Sequence, residues 1–144
     1  MKVGFTGTRY GMSELQKLMF RAAVTINPPA EFHHGSCQGA DVEAARIVRE
    51  FAPKCRIVSH PGPDGDQYRE LSGVDDETRQ PKTHFARNRD IVDETDILLA
   101  TPLQDEPQQR GGTWYTINYA TKRGRKVGQF PRSSGSPEAA KGHT

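Results

Sequence analysis

The stretch EFHHGSCQGADVEAARIVREF, residues 31–51, contains the unit from which the fold is predicted. Residues 31–34 are predicted to form a short strand, and the glycine-rich segment GSCQG follows it as a turn. Asp41 is then expected to cap a helix. The apolar side chains of that helix recur at helical spacing: Val42, Ala45, Val48 and Phe51. A strand that leads through a tight turn into a helix is the repeating unit of a parallel α/β sheet.

The same unit recurs along the rest of the chain. Ser13, with Gln16 three residues later, has the pattern of a capping box and predicts the start of the first helix. The last helix is predicted to open at residues 111–113 and to end near Gly124. The alternation predicts an α/β fold, a three-layer Rossmann-like open parallel sheet of about five strands with helices on both faces. The predicted strands are residues 2–6, 31–34, 55–60, 97–100 and 126–130, and a further helix runs from about His84 to about Thr95.

A single domain is expected over residues 1–130, because a chain of 144 residues suits one hydrophobic core. Residues 62–83 are polar and lack periodicity, so they are predicted to form a long loop, either a lid or an insertion. The terminal segment PRSSGSPEAAKGHT predicts a flexible polar tail over residues 131–144.

Composition argues against several classes of function. The net charge of +2 is too small to indicate a nucleic-acid or membrane partner. The N-terminal residues MKVGFTGTRY lead straight into a strand and no apolar stretch is long enough to span a bilayer, so a cytoplasmic protein is expected. Cys37 and Cys55 have no metal or redox spacing and are expected to be free thiols, and neither a metal nor a cofactor is predicted. The P-loop and G-x-G-x-x-G spacings are absent, which argues against mononucleotide kinases and NAD dehydrogenases.

Three predicted strand-to-helix turns are rich in glycine and small polar residues: residues 6–9, residues 35–41 and residues 111–113. In an open parallel sheet these turns gather at the carboxyl edge, where ligands bind. Glycine lets the backbone approach a ligand closely, and a helix N-terminus offers free N–H donors, so phosphate is the expected guest. The predicted ligand-binding residues are Thr6, Gly7, Thr8, Arg9, Gly35, Ser36, Gly39, Ala40, Asp41, His60, Arg87, Asn88, Thr101, Pro102, Gly111, Gly112, Thr113 and Trp114.

Two polar residues interrupt the apolar stripe of the helix near His84. Arg87 and Asn88 lie one turn upstream of Ile91 and Val92, on the side of the helix expected to be buried. Buried polar groups need partners. One interpretation is that Arg87 clamps a phosphate and Asn88 bonds a ribose or a backbone group. The other is a buried ion pair of Arg87 with Asp90 or Asp93, with Asn88 bracing a loop.

Other candidates have two interpretations each. His33 and His34 are expected to be structural, with one ring turned inward and one outward by strand alternation. His60 ends the third strand at the ligand edge, where it either contacts the ligand or is structural. Trp114 packs in the core or stacks on a base. Asp41 caps its helix or contacts a ribose.

Several segments together resemble the SLOG superfamily, the Rossmann-like group that contains the Smf/DprA proteins, the Lonely Guy enzymes and many small bacterial and phage proteins. The similarity runs from about Val3 to Val127 and is closest to the small bacterial and phage branch. The segments that carry it are GFTGTR, HHGSCQGADVEAA, SHPGP, FARNRDIVDETDILLATP and RGGTWYTINYATKRGRKV. The resemblance implies nucleotide binding on Gly7, Gly35, Gly39, Arg87, Asn88, Gly112 and Thr113.

The resemblance also bears on catalysis. In the Lonely Guy branch an Arg and a Glu carry phosphoribohydrolase chemistry, and Arg87 or Arg89 matches the position of that Arg. The position of the Glu, three residues after Thr113, holds Thr116, and no carboxylate occurs before Phe130. N-glycoside cleavage needs a carboxylate, so catalytic residues stay unassigned. The remaining candidates are Arg87, Glu106 and, if a loop closes, Asp64 or Asp66.

Three functions follow from these patterns. The first is binding of a nucleotide or nucleotide-derived ligand, with a role as a sensor. The second is an N-glycosidase that acts on a nucleoside 5′-monophosphate. The third is a DNA-processing accessory protein, against which the small net charge argues. The resemblance further implies a homo-oligomer, a dimer or larger, whose interface would involve the helix that carries Phe85 and Ile91 unless these residues pack in the core.

Overall fold

The computed structural model describes residues 1–133, so most of the predicted tail, residues 134–144, lies outside the described residues. Strands and helices alternate as the sequence predicts. In chain order the elements are β1 (Lys2–Gly7), α1 (Glu14–Ile26), β2 (Glu31–His34), α2 (Ala40–Phe51), β3 (Arg56–Ser59), β4 (Glu77–Thr78), α3 (His84–Asp93), β5 (Ile97–Thr101), α4 (Gly112–Lys122) and β6 (Lys126–Gln129).

The strands form one parallel sheet in the order β4-β3-β2-β1-β5-β6. The predicted α/β Rossmann-like architecture is therefore confirmed, with six strands in place of about five. The additional strand, β4, has only two residues, Glu77 and Thr78, which is too short to produce a recognisable alternation in the sequence. It lies inside the segment predicted as a long loop.

Helices cover both faces of the sheet, as predicted. On one face α1 and α2 pack over an aromatic cluster in which the rings of Phe5, Phe20 and Phe32 lie 5.4–5.9 Å apart. On the other face α3 and α4 pack over Leu98 and Ala100 of β5. The layers are thus helix, sheet and helix, which places every strand-to-helix turn at the carboxyl edge. None of the helices in residues 1–133 has the length and apolar character that crossing a bilayer requires.

The helix starts agree with the sequence in one case and differ in another. The capping box at Ser13 and Gln16 is confirmed, since each side chain bonds the backbone of the other residue. Asp41 does not cap α2, because the cap position is Gly39 and Asp41 lies in the first turn. Gly39 has φ +85°, and a Cβ there would lie 2.3 Å from the carbonyl oxygen of Arg9. The close approach of the β1–α1 turn to Gly39 therefore requires glycine at the cap position. Because Asp41 does not cap the helix, its carboxylate can make another contact.

The polar segment between β3 and α3 is anchored to the β2–α2 turn. The backbone N–H of Gln38 donates to the Tyr68 carbonyl at 2.7 Å, and the Glu70 N–H donates to the Ser36 carbonyl at 2.9 Å. The buried His34 ring bonds the carboxylate of Asp75 at 2.6 Å. These contacts lay the segment against the second glycine-rich turn, next to the carboxyl edge.

Candidate functional site

A cleft of about 580 Å³ lies at the carboxyl edge of the sheet. Its volume falls in the range of small-molecule pockets. The β1–α1, β2–α2 and β5–α4 turns contribute to its wall, together with the first half of α3 and part of the β3–β4 segment. The lining residues are Phe5, Thr6, Gly7, Thr8, Arg9, Tyr10, Gly35, Cys37, Asp41, Asp66, Tyr68, His84, Phe85, Arg87, Asn88, Ile91, Leu103, Gln104, Arg110, Gly111, Gly112, Thr113 and Trp114.

Most residues predicted to bind a ligand line this one cleft. The three glycine-rich turns meet there, as the topology of a parallel sheet requires. Their contact with a ligand stays a prediction. The predicted residues that line the cleft are Thr6, Gly7, Thr8, Arg9, Gly35, Asp41, Arg87, Asn88, Gly111, Gly112, Thr113 and Trp114.

The other predicted residues lie behind the cleft wall. Ala40 and Thr101 are completely buried, and a Cβ on Gly7 would lie 2.5 Å from each of their side chains. These two residues therefore pack beneath the first turn. The Pro102 carbonyl accepts a hydrogen bond from the buried amide of Gln16 at 3.0 Å. These residues support the turns from behind the cleft wall, whereas the sequence predicted that they contact a ligand.

Ser36, Gly39 and Glu106 are also absent from the lining. Ser36 has φ +53°, and its hydroxyl donates to the Glu70 carbonyl at 2.8 Å, so it secures the turn. Gly39 is covered by the backbone of Arg9. Glu106 is exposed on the loop between β5 and α4, outside the cleft, so its catalytic role stays a prediction that requires closure of this loop.

The three histidines near the second turn are buried, and the His60 side chain does not line the cleft. His33 and His34 point to opposite faces, but both rings are buried because both faces of the sheet are covered, so the expectation of one outward ring is wrong. The His33 ring lies 2.9 Å from a Glu31 carboxylate oxygen and 2.8 Å from the His60 ring. His60, only 3% exposed, contributes its backbone to the site and its side chain to this cluster.

Arg87 is the polar centre of the cleft wall. It is 8% exposed, and its Nη1 donates to the Gly35 carbonyl at 2.5 Å and to the His60 carbonyl at 3.1 Å. Nη2 lies 3.2 Å from His84 Nδ1. The guanidinium thus joins the ends of β2 and β3 to α3.

The alternative ion pairs of Arg87 are wrong. Asp90 pairs with Lys82 at 2.6 Å, and Asp93 accepts from the Tyr119 hydroxyl at 2.9 Å. Both acidic residues lie on the solvent side of α3, away from the guanidinium. The partners of Arg87 are backbone carbonyls, which no residue-type pattern in the sequence could identify. Its Nε, buried at the cleft, has no hydrogen-bond partner among the described residues.

The N-terminus of α4 forms one end of the cleft. Gly111 has φ +102° and caps the helix without a side-chain hydrogen bond, so the first backbone N–H groups of α4 are open to a ligand. Trp114 is 4% exposed and packs in the core against α3, which confirms the packing interpretation. Its indole Nε1 is nevertheless buried without a partner among the described residues. Asn88 faces the same turn, with Nδ2 3.9 Å from the position of a Cβ on Gly112.

Two exposed arginines supply positive charge to the cleft. The Arg9 guanidinium lies 4.2 Å from the ring centre of Tyr68 and 5.0 Å from that of Tyr10, and it donates to the Tyr10 hydroxyl at 2.9 Å. Arg110 precedes the cap of α4. No carboxylate within residues 1–133 forms an ion pair with either arginine. Both charges are thus available to an anion.

Two carboxylates face the cleft. Asp41 Oδ2 accepts from the Gly35 N–H at 3.1 Å, and burial raises the pKa of this carboxyl above its usual value. Asp66 is the second, with Oδ1 bonded to the Tyr68 N–H at 3.1 Å and Oδ2 3.9 Å from His84 Nε2. Asp66 lines the cleft in the conformation observed, without any further loop movement.

Eleven cleft residues are absent from the predicted ligand contacts, and one of them, Asp66, was named only as a catalytic candidate. Most of them carry no motif, and the tertiary structure brings them to the sheet edge. Aromatic residues beside glycine turns were the available signal for Tyr10 and Tyr68. The cleft residues absent from the predicted set are Phe5, Tyr10, Cys37, Asp66, Tyr68, His84, Phe85, Ile91, Leu103, Gln104 and Arg110.

Solved structures share this fold, although no family model and no curated protein matches the chain. The protein TM1055 has a TM-score of 0.62 and 17% identity over 88% of this chain and 72% of its own. The molybdenum cofactor binding protein of Rippkaea orientalis has a TM-score of 0.68 and 13% identity, with 99% and 85% covered. The DNA processing protein A (DprA) of Streptococcus pneumoniae has a TM-score of 0.68 and 19% identity, with 94% of this chain and 52% of that chain covered. At these identities the likeness concerns the fold alone.

The clamp role of Arg87 gives a direct prediction for stability. Arg87→Met keeps the length of the side chain but leaves the carbonyls of Gly35 and His60 without their donor. We expect the free energy of unfolding to fall by about 1–3 kcal/mol, the cost of unsatisfied buried polar groups. Urea denaturation measures this change. Arg110→Met is the matched control on the exposed wall, and an equal loss of stability in both variants would contradict the clamp.

Proposed function

We propose that this chain binds a nucleotide or a nucleotide-derived small molecule in the cleft at the carboxyl edge of the sheet. One observation carries the proposal: a helix N-terminus and two arginines without ion-pair partners among residues 1–133 converge on a single cleft of about 580 Å³. The cleft therefore attracts anions and has room for a group much larger than phosphate. The finer assignment to a nucleotide rests on the elements below.

The phosphate is assigned to the N-terminus of α4. Gly112 and Thr113 present backbone N–H groups there, the positive end of the helix dipole lies behind them, and Arg110 stands beside the turn. Gly111 and Gly112 have no Cβ that would keep a ligand away from the backbone. An added Cβ on Gly111 would meet no atom within 4 Å, so the space above the turn is open.

The nucleoside is assigned to the middle of the cleft. Phe85 and Leu103 offer partly exposed apolar surface for a base. Asn88 and the unpartnered indole N–H of Trp114 supply hydrogen bonds beside that surface. A few directed polar groups on a mostly apolar wall are typical of small-molecule sites.

One solved neighbour supports a small ligand in this fold. The protein of Rippkaea orientalis is described as a molybdenum cofactor binding protein, and this chain covers 85% of it. DprA is described as a DNA processing protein, and this chain spans about half of that chain. Binding without cleavage, as in a sensor, is the proposed role, because no carboxylate follows Thr113 in α4.

Arg110→Gln tests the phosphate assignment. Isothermal titration of the full chain with nucleoside monophosphates, cyclic nucleotides and ADP-ribose should identify a binder. For that binder we expect the variant to weaken affinity roughly 10-fold or more, because a charge-assisted hydrogen bond is lost. Arg123→Gln, at the opposite end of α4, removes the same charge and should leave the affinity unchanged.

Two outcomes of this titration count against the proposal. If no nucleotide binds, or if Arg110→Gln and Arg123→Gln weaken nucleotide affinity equally, the N-terminus of α4 does not bind the phosphate. Affinity for single-stranded DNA that falls steeply with salt, in place of small-molecule binding, would favour the DNA-processing alternative.

The position of Asp66 favours a second candidate function, cleavage of the N-glycosidic bond of a nucleoside 5′-monophosphate. Its carboxylate lines the cleft beside His84 and supplies the acidic group that α4 lacks. In this reaction water attacks the anomeric carbon, the bond to the base breaks, and the base leaves with a proton. A carboxylate stabilises the developing positive charge or activates the water.

Asp66→Asn tests this second function. Chromatography of nucleotide incubations should show free base released by the native chain and a loss of at least about 100-fold in Asp66→Asn, the contribution typical of a general acid or base. Asp64→Asn is the matched control, since the Asp64 side chain is 88% exposed and absent from the lining. Nucleotide binding without any release of base would remove this candidate and leave the first proposal intact.

Self-association through α3 and α4 is proposed as well. Phe85, Tyr115 and Tyr119 form a row of aromatic rings on the outer surface of these helices, and Phe85 is 55% exposed. Ile91 does not belong to this row, because it is buried in the core. Tyr115→Lys should convert the oligomer to monomer in light scattering, whereas Met19→Lys on α1 should not. A native chain that is already monomeric would refute the proposal.

The thiols support the proposed cytoplasmic location. Cys37 and Cys55 are both free. Burial raises the pKa of Cys37 to about 12 and that of Cys55 to about 11, so both remain protonated and unreactive at neutral pH. Free, inert thiols suit a reducing compartment.

A further inference from the structure

A second cluster of polar groups lies outside the cleft lining. His33 on β2, His60 after β3 and Glu94 at the end of α3 each offer one ligand atom, and these atoms lie within 4.8 Å of one another. Both histidines are buried, and Glu94 is partly exposed, with 35% of its side chain accessible. None of the three lines the nucleotide cleft.

The surroundings of His33 fix which of its nitrogens is available. Its Nε2 lies 2.9 Å from Glu31 Oε1, so Nε2 carries the proton and donates to that carboxylate. Nδ1 then carries no proton, and its lone pair points at His60. A histidine whose second nitrogen donates to a carboxylate is the usual arrangement of a metal ligand, because the carboxylate orients the ring and increases its basicity.

We propose that His33 Nδ1, His60 Nε2 and the Glu94 carboxylate bind a divalent transition-metal ion of the Zn²⁺ type. Two imidazoles and one carboxylate are a ligand set that Zn²⁺ accepts, with a fourth position left for water or another ligand. The partial exposure of Glu94 provides that open side.

The required movement is small. Bonds of about 2.0–2.1 Å to a tetrahedral ion separate two nitrogen ligands by about 3.3 Å. The two nitrogens are 2.8 Å apart in the metal-free arrangement, where the His60 N–H donates to His33. Binding therefore opens this contact by roughly 0.5 Å, and the proton on His60 Nε2 moves to Nδ1 of the same His60 ring or to solvent.

Arg79 orients the Glu94 carboxylate and leaves one of its two oxygens free. Its Nη2 lies 2.9 Å from Glu94 Oε1, which leaves Oε2 for the ion. The charge of Arg79 is offset by Glu77, with which it also pairs. The guanidinium thus has the place of an outer partner that fixes a ligating carboxylate. The sequence predicted no metal site because the three ligands come from separate elements, with no local spacing to reveal them.

The test uses the full chain after treatment with a chelator. Titration with Zn²⁺ should show one ion bound per chain, and Co²⁺ should give the visible absorption of a tetrahedral N/O site. Glu94→Gln removes a ligand at a partly exposed position and should weaken Zn²⁺ binding at least 10-fold. Glu31→Gln should weaken it about 10- to 100-fold by loosening His33. Glu50→Gln, exposed on α2, is the matched control and should bind as the native chain does.

Three results would overturn the metal site. The first is the absence of a stoichiometric ion in the native chain, which would make the two rings a simple hydrogen-bonded pair. The second is Zn²⁺ binding that Glu94→Gln leaves intact, as expected if Cys37 or a surface group held the ion. The third is equal weakening by Glu94→Gln and Glu50→Gln. None of these outcomes depends on nucleotide binding, so the two proposals stand or fall separately.

Discussion

The guanidinium of Arg87 is the contact on which the carboxyl edge depends. A buried positive charge is tolerable only where acceptors surround it. Here the acceptors are the carbonyls of Gly35 and His60, at the ends of two neighbouring strands. A Cβ on Gly35 would lie 2.8 Å from both Arg87 Nη1 and Asp41 Oδ2, so the position between this cation and anion admits only glycine. The side chains of Arg87 and Asp41 therefore require glycine in the second turn whether or not a ligand is bound.

The sequence predicts those parts of the structure that are determined by interactions over a few residues. Local signals were sufficient for β1, β2, β5, the capping box at Ser13 and the gathering of three turns at one edge, because periodicity and caps act over a few residues. They failed for β4, which is held by backbone bonds to β3 and has no pattern of its own. They also failed for the partners of Arg87, because a carbonyl acceptor belongs to every residue and leaves no trace in residue type.

The same distinction applies to the candidate site. Twelve predicted residues line the cleft because every strand-to-helix turn of a parallel sheet lies at the carboxyl edge. Thr101 and Ala40 lie beneath the turn and do not line the cleft, because a glycine such as Gly7 is required by packing beneath the turn as much as by a ligand above it. Tyr68 was missed, and Asp66 was considered only in case a loop closes, because the long polar segment folds back over the β2–α2 turn, a contact that depends on tertiary structure alone.

The hydrogen bonds of the polar groups in the cleft favour binding of a ligand over its cleavage. Asp41 is committed to the Gly35 N–H, and burial works against its ionisation. The Thr116 hydroxyl, at the position of the missing Glu, donates to the Gly112 carbonyl at 2.7 Å and is therefore part of the helix.

Asp66 accepts from the Tyr68 N–H, so one of its oxygens also serves the fold. Arg9, Arg110 and the N-terminus of α4, in contrast, have no anionic partner among residues 1–133. A cleft whose carboxylates are engaged and whose cations have no carboxylate partner among residues 1–133 supports the proposal of a negatively charged ligand. Chemistry on that ligand would have to rest on the second oxygen of Asp66, which lies 3.9 Å from His84 Nε2.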